Sequence, residues 1–335
     1  MTETVGCAFC GSFSFTPLFS AAGFDDPTEP FDLVECSNCH LVRTAPTLTG
    51  EQLGKYYRLD YYGSFENKFN PLVEFLLALA TRARAELLMW NLPSPQRGTW
   101  PVRVLDVGCG RGLMLRMLAR RGYACFGVEL PGFVFPEPSE GIVWMHGRIE
   151  ELGLETGYFD AVLIWHVLEH TLDPAVTLRE IARVCKPGGL ISIAVPNFSS
   201  LQRRLFQRHW FHLDLPRHTH HFSRPVLEKM LATNGLALVN VRTDSPVQNL
   251  SGFVFSCLNT LFPRSPNEFY MLLKSRSHLG REKRAWVIFL FYALIALFCV
   301  PAAFIEVLLT SLFGNGATLV VSARKIDNPQ TDRWA

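Results

Sequence analysis

The sequence has little net charge, since 32 Lys and Arg against 30 Asp and Glu give a formal net charge of +2. This near balance disfavours nucleic acid as a partner, because proteins that bind it usually concentrate basic residues on one face. Residues 1–10 lack the apolar run of a secretory signal peptide, so we expect a cytoplasmic protein. In a reducing cytoplasm the nine cysteines are not expected to form disulfides.

The hydrophobic content of 48% is ordinary for a globular protein, and its distribution changes along the chain. Short apolar runs at 102–107, 124–128, 161–165 and 190–195 alternate with helix-like stretches at 112–121 and 174–184. This alternation predicts an α/β fold, a doubly wound Rossmann-like parallel sheet with helices on both faces. Two later apolar runs, at 236–242 and 318–323, are predicted to complete the sheet.

A helix is predicted over residues 71–90, before the sheet begins. Its apolar residues recur at helical spacing, so one face is expected to pack on a domain. These residues are Leu72, Phe75, Leu76, Leu79, Ala83 and Leu87.

A glycine-rich turn follows the first predicted strand, with Gly108, Gly110 and Gly112 separated by single residues. This spacing differs from the Gly-x-Gly-x-x-Gly of dinucleotide-binding proteins and disfavours an NAD oxidoreductase. The second predicted strand ends at Glu129, about 20 residues further on, where a carboxylate can bind the ribose hydroxyls of a nucleoside. Together these features predict a site for a nucleoside-containing cofactor.

Four segments between residues 102 and 197 resemble the motifs of class I S-adenosylmethionine-dependent methyltransferases. They read VLDVGCGRG, GVEL, FDAVLIWHVLEH and VCKPGGLISIAVPN. The resemblance implies methyl transfer from S-adenosylmethionine. It places the amino-acid part of the cofactor at Asp106, Gly108 and Gly110, the ribose at Glu129, the adenine near Arg148 and Ile149, and the methionine end beside His166. The chain departs from the family at Pro131, Pro136 and Pro138, which prevent a regular helix after Glu129. Arg148 also stands where relatives often have an acidic or small polar residue.

Two cysteine pairs near the N-terminus, Cys7 with Cys10 and Cys36 with Cys39, have the spacing of a four-thiolate zinc site. Four thiolates leave no open coordination position, so the zinc is expected to be structural. A redox pair and free thiols are the alternatives. The segment resembles the N-terminal zinc-binding extension of a bacterial methyltransferase subgroup, many members of which are associated with sugar or cell-envelope chemistry. Tyr56, Tyr57, Tyr61 and Tyr62 also fit that subgroup.

A histidine-rich stretch at 210–223 is the candidate acceptor site. An oxygen acceptor can need a general base, so we expect His218 or His221 to remove its proton while Asp214 and Arg217 orient it. One alternative is a structural network that caps a helix beginning near residue 223. Another is a metal site built from His218, His220 and His221.

The segment 285–313 is almost entirely apolar, with Glu306 as its only charged residue. It is long enough for a membrane helix, but both of its ends must face the cytoplasm if residues 318–323 rejoin the sheet. Pro301 divides it, and basic residues flank both sides. We therefore predict a re-entrant or interfacial helical hairpin on the inner membrane face, with a buried hairpin or a homodimer interface as the alternative.

The predicted organisation is a zinc module at 1–50, a helical linker or lid at 51–100 and a cofactor domain at 101–244. An apolar insertion at 245–316 and a final strand at 317–326 follow. The predicted function is methylation of a hydroxyl or sugar carbon on a small-molecule, glycan or lipid-linked acceptor at the membrane. An RNA methyltransferase and a non-catalytic, membrane-attached scaffold that binds S-adenosylmethionine are the alternatives.

Overall fold

The computed structural model describes residues 5–57, 71–95, 101–131, 135, 141–274 and 283–326. Its strands are β1 Phe15–Ala22, β2 Pro30–Cys36, β3 Val42–Ala45, β4 Arg103–Val107, β5 Ala124–Glu129, β6 Ile142–His146, β7 Phe159–Trp165, β8 Cys185–Pro196, β9 His220–His221, β10 Leu236–Arg242 and β11 Thr318–Lys325. Its helices are α1 Gly50–Gly54, α2 Pro71–Met89, α3 Leu113–Ala119, α4 Pro174–Val184, α5 Leu201–Phe206, α6 Arg224–Thr233, α7 Pro246–Leu261, α8 Glu268–Lys274 and α9 Lys283–Phe313.

The main sheet has seven strands in the order β10-β11-β8-β7-β4-β5-β6. The strands β4 to β8 pair in parallel, whereas β11 is antiparallel to both β8 and β10. The strand order reverses between β4 and β7, which opens a crevice beyond the carboxyl ends of these strands. The doubly wound α/β fold is confirmed, and all six strands expected for this sheet form.

The core lies where helices cover the middle of this sheet. Leu105, Ile164 and Ile193, from three neighbouring strands, are completely buried. Helix α4 begins at residue 174, as expected. Asp173 caps it, because its side chain accepts hydrogen bonds from the amides of Ala175 and Val176. Because the middle of the sheet is rigidly buried, the carboxyl ends of its parallel strands are held at one edge. The candidate site lies at that edge.

A second sheet, in the order β1-β2-β3-β9, contains the N-terminal cysteine segment. Its last strand is His220–His221, which pairs with Val42 and Arg43. The predicted boundary at residue 50 therefore separates residues that share one sheet, because a two-residue strand in the histidine stretch leaves no pattern in the sequence.

Two local features differ from the sequence analysis. Strand β6 was not predicted, because it is a five-residue edge strand whose apolar run, residues 142–145, is short and not fully buried. The predicted packing face of α2 was wrong at four of its six positions, because Phe75, Leu79, Ala83 and Leu87 are exposed. The side chains of Leu72 and Leu76 lie outside the described residues. Helix α2 instead buries Ala85 and Leu88.

The insertion starts and ends at the carboxyl edge of the main sheet. Strand β10 runs towards this edge, and Thr318, the first residue of β11, pairs there with Pro196, the last residue of β8. The expected turn at Pro301 was wrong, because α9 is one continuous helix that packs against α7. Ala296 and Ala303 are buried on either side of the proline, so packing on both sides compensates for the one backbone hydrogen bond that a proline removes.

Helix α9 contains a candidate membrane segment, Trp286–Phe313, with a mean hydropathy of 2.6. Only 17% of the most apolar window of this segment is buried inside the protein. The length and hydropathy of this helix do not test the predicted membrane role of the insertion, which stays a prediction.

The corrected face of α2 can be tested with two adjacent leucines. Leu88 packs in a core cluster with Val104 and Leu118, whereas the side chain of Leu87 is 46% exposed. We expect Leu88→Ala to lower the free energy of unfolding by about 2–3 kcal/mol, because it leaves a cavity. Leu87→Ala should cost less than about 1 kcal/mol. Denaturant unfolding of both variants measures this, and a larger loss for Leu87→Ala would contradict the packing.

Candidate active site

The glycine turn after β4 is shaped by contacts that exclude side chains. Gly108 and Gly112 both have positive φ angles, of 70° and 67°. A Cβ atom on Gly108 would lie 2.2 Å from Val167, and one on Gly112 would lie 2.2 Å from the ring of Trp144. The amide of Gly108 also donates to the carbonyl of Val128 at 2.8 Å. Only glycine fits this backbone, which brings the turn against the end of β5.

Two carboxylates are buried beside this turn. The Glu129 carboxylate accepts hydrogen bonds from the amides of Gly110 and Leu130, both at 2.9 Å. Asp106 is 6% exposed, and its burial and the charge of Glu129 raise its pKa to about 7. Burial also raises the pKa of Glu129. The pocket is therefore electronegative and favours a cationic ligand.

An arginine from α2 reaches the same pocket. The guanidinium of Arg84 lies 4.7 Å from the centre of the Trp165 ring, at the end of β7. It also donates a hydrogen bond to the hydroxyl of Thr81 at 2.9 Å. The positive charge of Arg84 partly offsets the rise in the pKa of Asp106. Helix α2 thus supplies a cation to the edge formed by β4 and β7.

A buried carboxylate with three nearby imidazoles lies just beyond β7. The carboxylate of Glu169, which is 1% exposed, lies 3.1 Å from Nδ1 of His166 and 4.0 Å from Nε2 of His218. Metal-ligating atoms of Glu169, His170 and His218 all lie within 4.8 Å of one another. The second oxygen of Glu169 has no hydrogen-bond partner within the described residues.

The hydrogen bonds of His218 determine its tautomer. Its Nδ1 lies 2.9 Å from the carbonyl oxygen of His212, which can only accept, so Nδ1 carries the proton. Nε2 then has a free lone pair and faces Glu169 and, at 3.7 Å, Asp214. Burial and the nearby His170 and His221 lower the pKa of His218 well below its usual value. His218 is therefore neutral at physiological pH.

A family model described as a methyltransferase domain matches residues 66–241, more than half of the chain. The ubiquinone biosynthesis O-methyltransferase of Rhizobium leguminosarum bv. trifolii (strain WSM2304) is 31% identical over 235 residues, covering 63% of this chain and 86% of that protein. The enzyme of the same description from Maricaulis maris (strain MCS10) is 30% identical over 199 residues, covering 56% of this chain and 78% of that protein. The chain belongs to the methyltransferase domain family. It is a class I S-adenosylmethionine-dependent methyltransferase.

A solved structure described as a putative S-adenosylmethionine-dependent methyltransferase from Listeria monocytogenes is also similar to this methyltransferase. The match covers 75% of this chain and 100% of that one, with 14% sequence identity and a TM-score of 0.45. Membership of the family rests on the family model and the two sequence relatives.

The residues expected around the cofactor lie at one edge of the methyltransferase sheet. Asp106, Gly108, Gly110 and Glu129 line the glycine turn, and His166 follows β7. Arg148 and Ile149 follow β6 at the same edge, where Ile149 is buried in the core. The side chain of Arg148 reaches towards Gly50. Pro131 lies in a turn, whereas Pro136 and Pro138 lie outside the described residues.

The residues expected at the acceptor site occupy different positions around His218. Asp214 borders it, whereas His221 belongs to β9 and its Nε2 lies 3.2 Å from the hydroxyl of Thr44. Burial and the charges of His220 and Arg203 lower the pKa of His221 to about 3.

Arg217 joins the histidine stretch to the N-terminal sheet. Its guanidinium donates to Asp214 and, at 2.5 Å, to Asp25, and it lies 4.6 Å from the ring centre of Phe24. The side chain is 3% exposed. These contacts connect the loop after β1 with the loop that carries His218.

The four predicted zinc ligands lie together. The sulfur atoms of Cys7 and Cys39 are 3.4 Å apart, and those of Cys10 and Cys36 are 3.5 Å apart. All four sulfurs lie within 4.8 Å of one another, which fits tetrahedral coordination with metal–sulfur bonds of about 2.3 Å. His40 instead contacts Glu35 on the surface, at 2.8 Å.

The sequence analysis missed three residues of this site: Arg84, Glu169 and His170. Glu169 and His170 stand inside the quoted motif FDAVLIWHVLEH, so their position directly after a sheet strand was the available signal. Tyr57 also reaches the cluster, because its hydroxyl lies 2.9 Å from Nδ1 of His170. Tyr61 and Tyr62 lie outside the described residues.

The raised pKa of Asp106 predicts pH-dependent cofactor binding. Below pH 7 the free protein carries a neutral Asp106, and binding of the cationic cofactor must first remove that proton. We expect the affinity for S-adenosylmethionine to rise about tenfold from pH 6 to pH 8. Calorimetric titrations of the wild type and Asp106→Asn measure it. The variant should bind more weakly and without this pH dependence, and an equally steep dependence in the variant would contradict the assignment.

Proposed function

We propose that this methyltransferase transfers a methyl group to a hydroxyl oxygen of a lipophilic precursor, a lipid or a lipid-linked glycan, at the membrane surface. The observation that carries the proposal is the buried cluster of Glu169, His170 and His218 beside the cofactor edge. The names of the two relatives, both O-methyltransferases of ubiquinone biosynthesis, support an oxygen acceptor.

The cluster supports a direct displacement with proton removal. The acceptor oxygen attacks the methyl carbon, the carbon–sulfur bond of S-adenosylmethionine breaks, and S-adenosylhomocysteine leaves. The acceptor proton passes to the free lone pair on Nε2 of His218, which Glu169 then stabilises as an imidazolium. The electronegative pocket of Asp106 and Glu129 binds the cationic cofactor before transfer.

A divalent cation held by the same three residues is the second candidate for activating the acceptor. The three groups supply one carboxylate oxygen and two imidazole nitrogens, a donor set suited to a metal ion. The second oxygen of Glu169 lacks a partner within the described part of the chain, which also favours this candidate. A bound cation would lower the pKa of the acceptor hydroxyl without needing a protein base.

The polarity of α9 supports attachment to the inner membrane face. Its inward side carries the polar groups: Glu306 accepts a hydrogen bond from Gln202 at 2.9 Å, and the Tyr292 hydroxyl donates to Glu268 at 2.7 Å. Its outward side carries large apolar side chains along the whole helix, including Trp286 and Phe313. A helix on a water-exposed surface carries polar side chains outwards and apolar side chains inwards. A helix in contact with lipid carries its apolar side chains outwards, as α9 does.

The cysteine cluster is proposed to hold one structural zinc ion. Zinc would fix the turns around β2, whose partner β3 pairs with β9. The hydroxyl of Thr44 in β3 donates to the carbonyl of His218 at 2.6 Å, and its amide donates to the carbonyl of Thr219 at 3.0 Å. The zinc module therefore supports the loop that presents His218.

The two other functions from the sequence analysis are weaker. An RNA methyltransferase is disfavoured by the net charge of +2. A non-catalytic scaffold has no use for a buried carboxylate and three imidazoles beyond β7, since such groups are costly to bury.

Methyl transfer from labelled S-adenosylmethionine into a whole-cell extract tests the proposal. We expect label in the organic or lipid-linked glycan fraction, because the acceptor is lipophilic. Glu169→Gln and His218→Ala should each reduce transfer at least about 100-fold while cofactor affinity changes less than threefold. His40→Ala, outside the cluster, is the control. Label in the RNA fraction, or full activity in both cluster variants, would contradict the proposal. Loss of transfer on chelation, restored by a divalent cation, would favour the metal-assisted mechanism.

The zinc proposal has its own measurement. Native mass spectrometry of the purified chain should show one zinc ion, and Cys36→Ser should lose it because three thiolates bind more weakly than four. Cys299→Ala, which lies outside the cluster, should keep the ion. A zinc-free wild type of unchanged thermal stability would overturn this assignment.

A further inference from the structure

A cavity lies between the N-terminal sheet, the histidine stretch and the insertion. Its walls come from the end of β1 and the loop that follows it, from residues 208–215, and from α7 with the loop after it. We call it the β1–α7 cavity. It has a volume of about 340 Å³. An apolar cavity of about 150 Å³ holds one benzene molecule, so this one accommodates a six-membered ring with substituents.

Hydrogen bonds between its walls hold the β1–α7 cavity in shape. The side-chain amide of Asn259, in α7, donates to Oδ1 of Asn267 at 2.9 Å, and the backbone amide of Asn267 donates to Oδ1 of Asn259 at 2.8 Å. Nδ2 of Asn267 also donates to the carbonyl of Phe24, in the loop after β1, at 3.3 Å. The insertion and the N-terminal segment are therefore joined at the cavity. A ligand meets a largely preformed site, which favours binding.

Trp210 gives the cavity wall an unsatisfied polar group. This residue lines the cavity and is only 2% exposed. Its indole N–H has no hydrogen-bond acceptor within the described residues. A buried donor without an acceptor is costly to the free protein, and an oxygen atom of a bound ligand would satisfy it. The rings of Phe24 and Phe211, which pack edge to face at 5.6 Å, supply apolar wall nearby. A ring that carries oxygen substituents matches both features.

Asp214 connects the cavity to the catalytic cluster. It lines the cavity, and its carboxylate lies 3.7 Å from Nε2 of His218. The guanidinium of Arg217 holds this carboxylate in place by a hydrogen bond of 2.9 Å to its Oδ1. A hydroxyl of a ligand at the Asp214 end of the cavity therefore lies beside the carboxylate that borders the proposed base.

The cavity wall also lies next to a contact with α9. Pro263 lines the cavity and follows Phe262, whose ring centre lies 5.7 Å from that of Phe291 and 5.0 Å from that of Tyr292, both in α9. Phe291 is 51% exposed and belongs to the outward apolar side of α9. A hydrocarbon chain attached to a ring in the cavity thus has apolar surface near the cavity wall.

We propose that the β1–α7 cavity binds the head group of the acceptor, a hydroxylated six-membered ring that is either aromatic or a sugar. The indole N–H of Trp210 donates to one oxygen of the ring, and the reacting hydroxyl lies at the Asp214 end. This inference rests on the proposed methylation of a hydroxyl oxygen on a lipophilic acceptor. It assigns a joint role to the N-terminal sheet and the insertion, because together they select the acceptor.

The test fills the cavity without changing the cofactor site. Ala22, the last residue of β1, lines the cavity and is exposed, so Ala22→Phe adds a ring there with little strain. Transfer from labelled S-adenosylmethionine is measured with the full chain and graded amounts of an organic extract of cell membranes. We expect Ala22→Phe to need at least about tenfold more extract for half-maximal transfer, because the ring excludes the acceptor. The affinity for S-adenosylhomocysteine should change less than about twofold.

Trp210→Phe tests the proposed hydrogen bond, because it removes the N–H and keeps an aromatic ring. It should need about threefold to tenfold more extract at an unchanged maximal rate, since the lost contact serves binding of the acceptor. Mass spectrometry of the labelled product identifies the ring as aromatic or as a sugar. Circular dichroism melting confirms that each variant is folded.

A matched control and the contrary outcomes separate this inference from the proposed function. Ala237→Phe makes the same substitution at an exposed alanine of β10 and should behave as the wild type. Absence of transfer to any lipophilic compound by the wild type would overturn the proposed function and the cavity assignment together. Wild-type transfer with an unchanged extract requirement in Ala22→Phe would overturn the cavity assignment alone. Methylation of an acceptor without a ring, or an equal loss in Ala237→Phe, would overturn it as well.

Discussion

The burial of negative charge at the carboxyl edge of the parallel sheet is the constraint on which the rest of the structure depends. Asp106, Glu129 and Glu169 all lie there and are each less than one-tenth exposed. Buried carboxylates are costly unless hydrogen bonds or positive charges compensate them. Backbone amides donate to Glu129, Arg84 partly compensates Asp106, and Nδ1 of His166 lies 3.1 Å from one oxygen of Glu169, whose other oxygen has no hydrogen-bond partner within the described residues. The negative charge that remains uncompensated attracts a cationic cofactor. The carboxylates whose burial destabilises the free protein are therefore the groups that favour cofactor binding.

The parts added to the methyltransferase sheet all converge on this edge. The N-terminal sheet reaches it through β9, and Arg217 joins Asp25 to Asp214 across the boundary. The insertion supports the same loop from the other side, because a Cβ atom on Gly252 of α7 would lie 2.2 Å from the ring of His212. His218 is therefore positioned by contacts from separate additions, which explains why its loop can hold a buried, neutral imidazole without regular secondary structure of its own.

The sequence predicts the main sheet well because strands buried on both faces are continuous apolar runs, as in β7 and β8. It predicts the cysteine grouping because ligand spacing is local. It fails where long-range packing decides the outcome. The apolar positions of α2 predict a buried face, but nothing local shows that Ala85 and Leu88 pack on the core instead. The proximity of His170 and His218 is likewise set by the fold, since 47 residues separate them and neither lies in a recognisable joint motif.

The continuous course of α9 follows from where its polar groups lie. A turn at Pro301 would have separated Ala296 from Ala303, which both pack inwards, and would have moved Glu306 away from Gln202. One oxygen of the buried Glu306 carboxylate thus accepts a hydrogen bond from Gln202 of α5, in the methyltransferase domain. The hydrogen bond connects the apolar surface of α9 to α5, which follows β8 in the chain, so the fold sets the distance between that surface and the carboxyl edge of the main sheet.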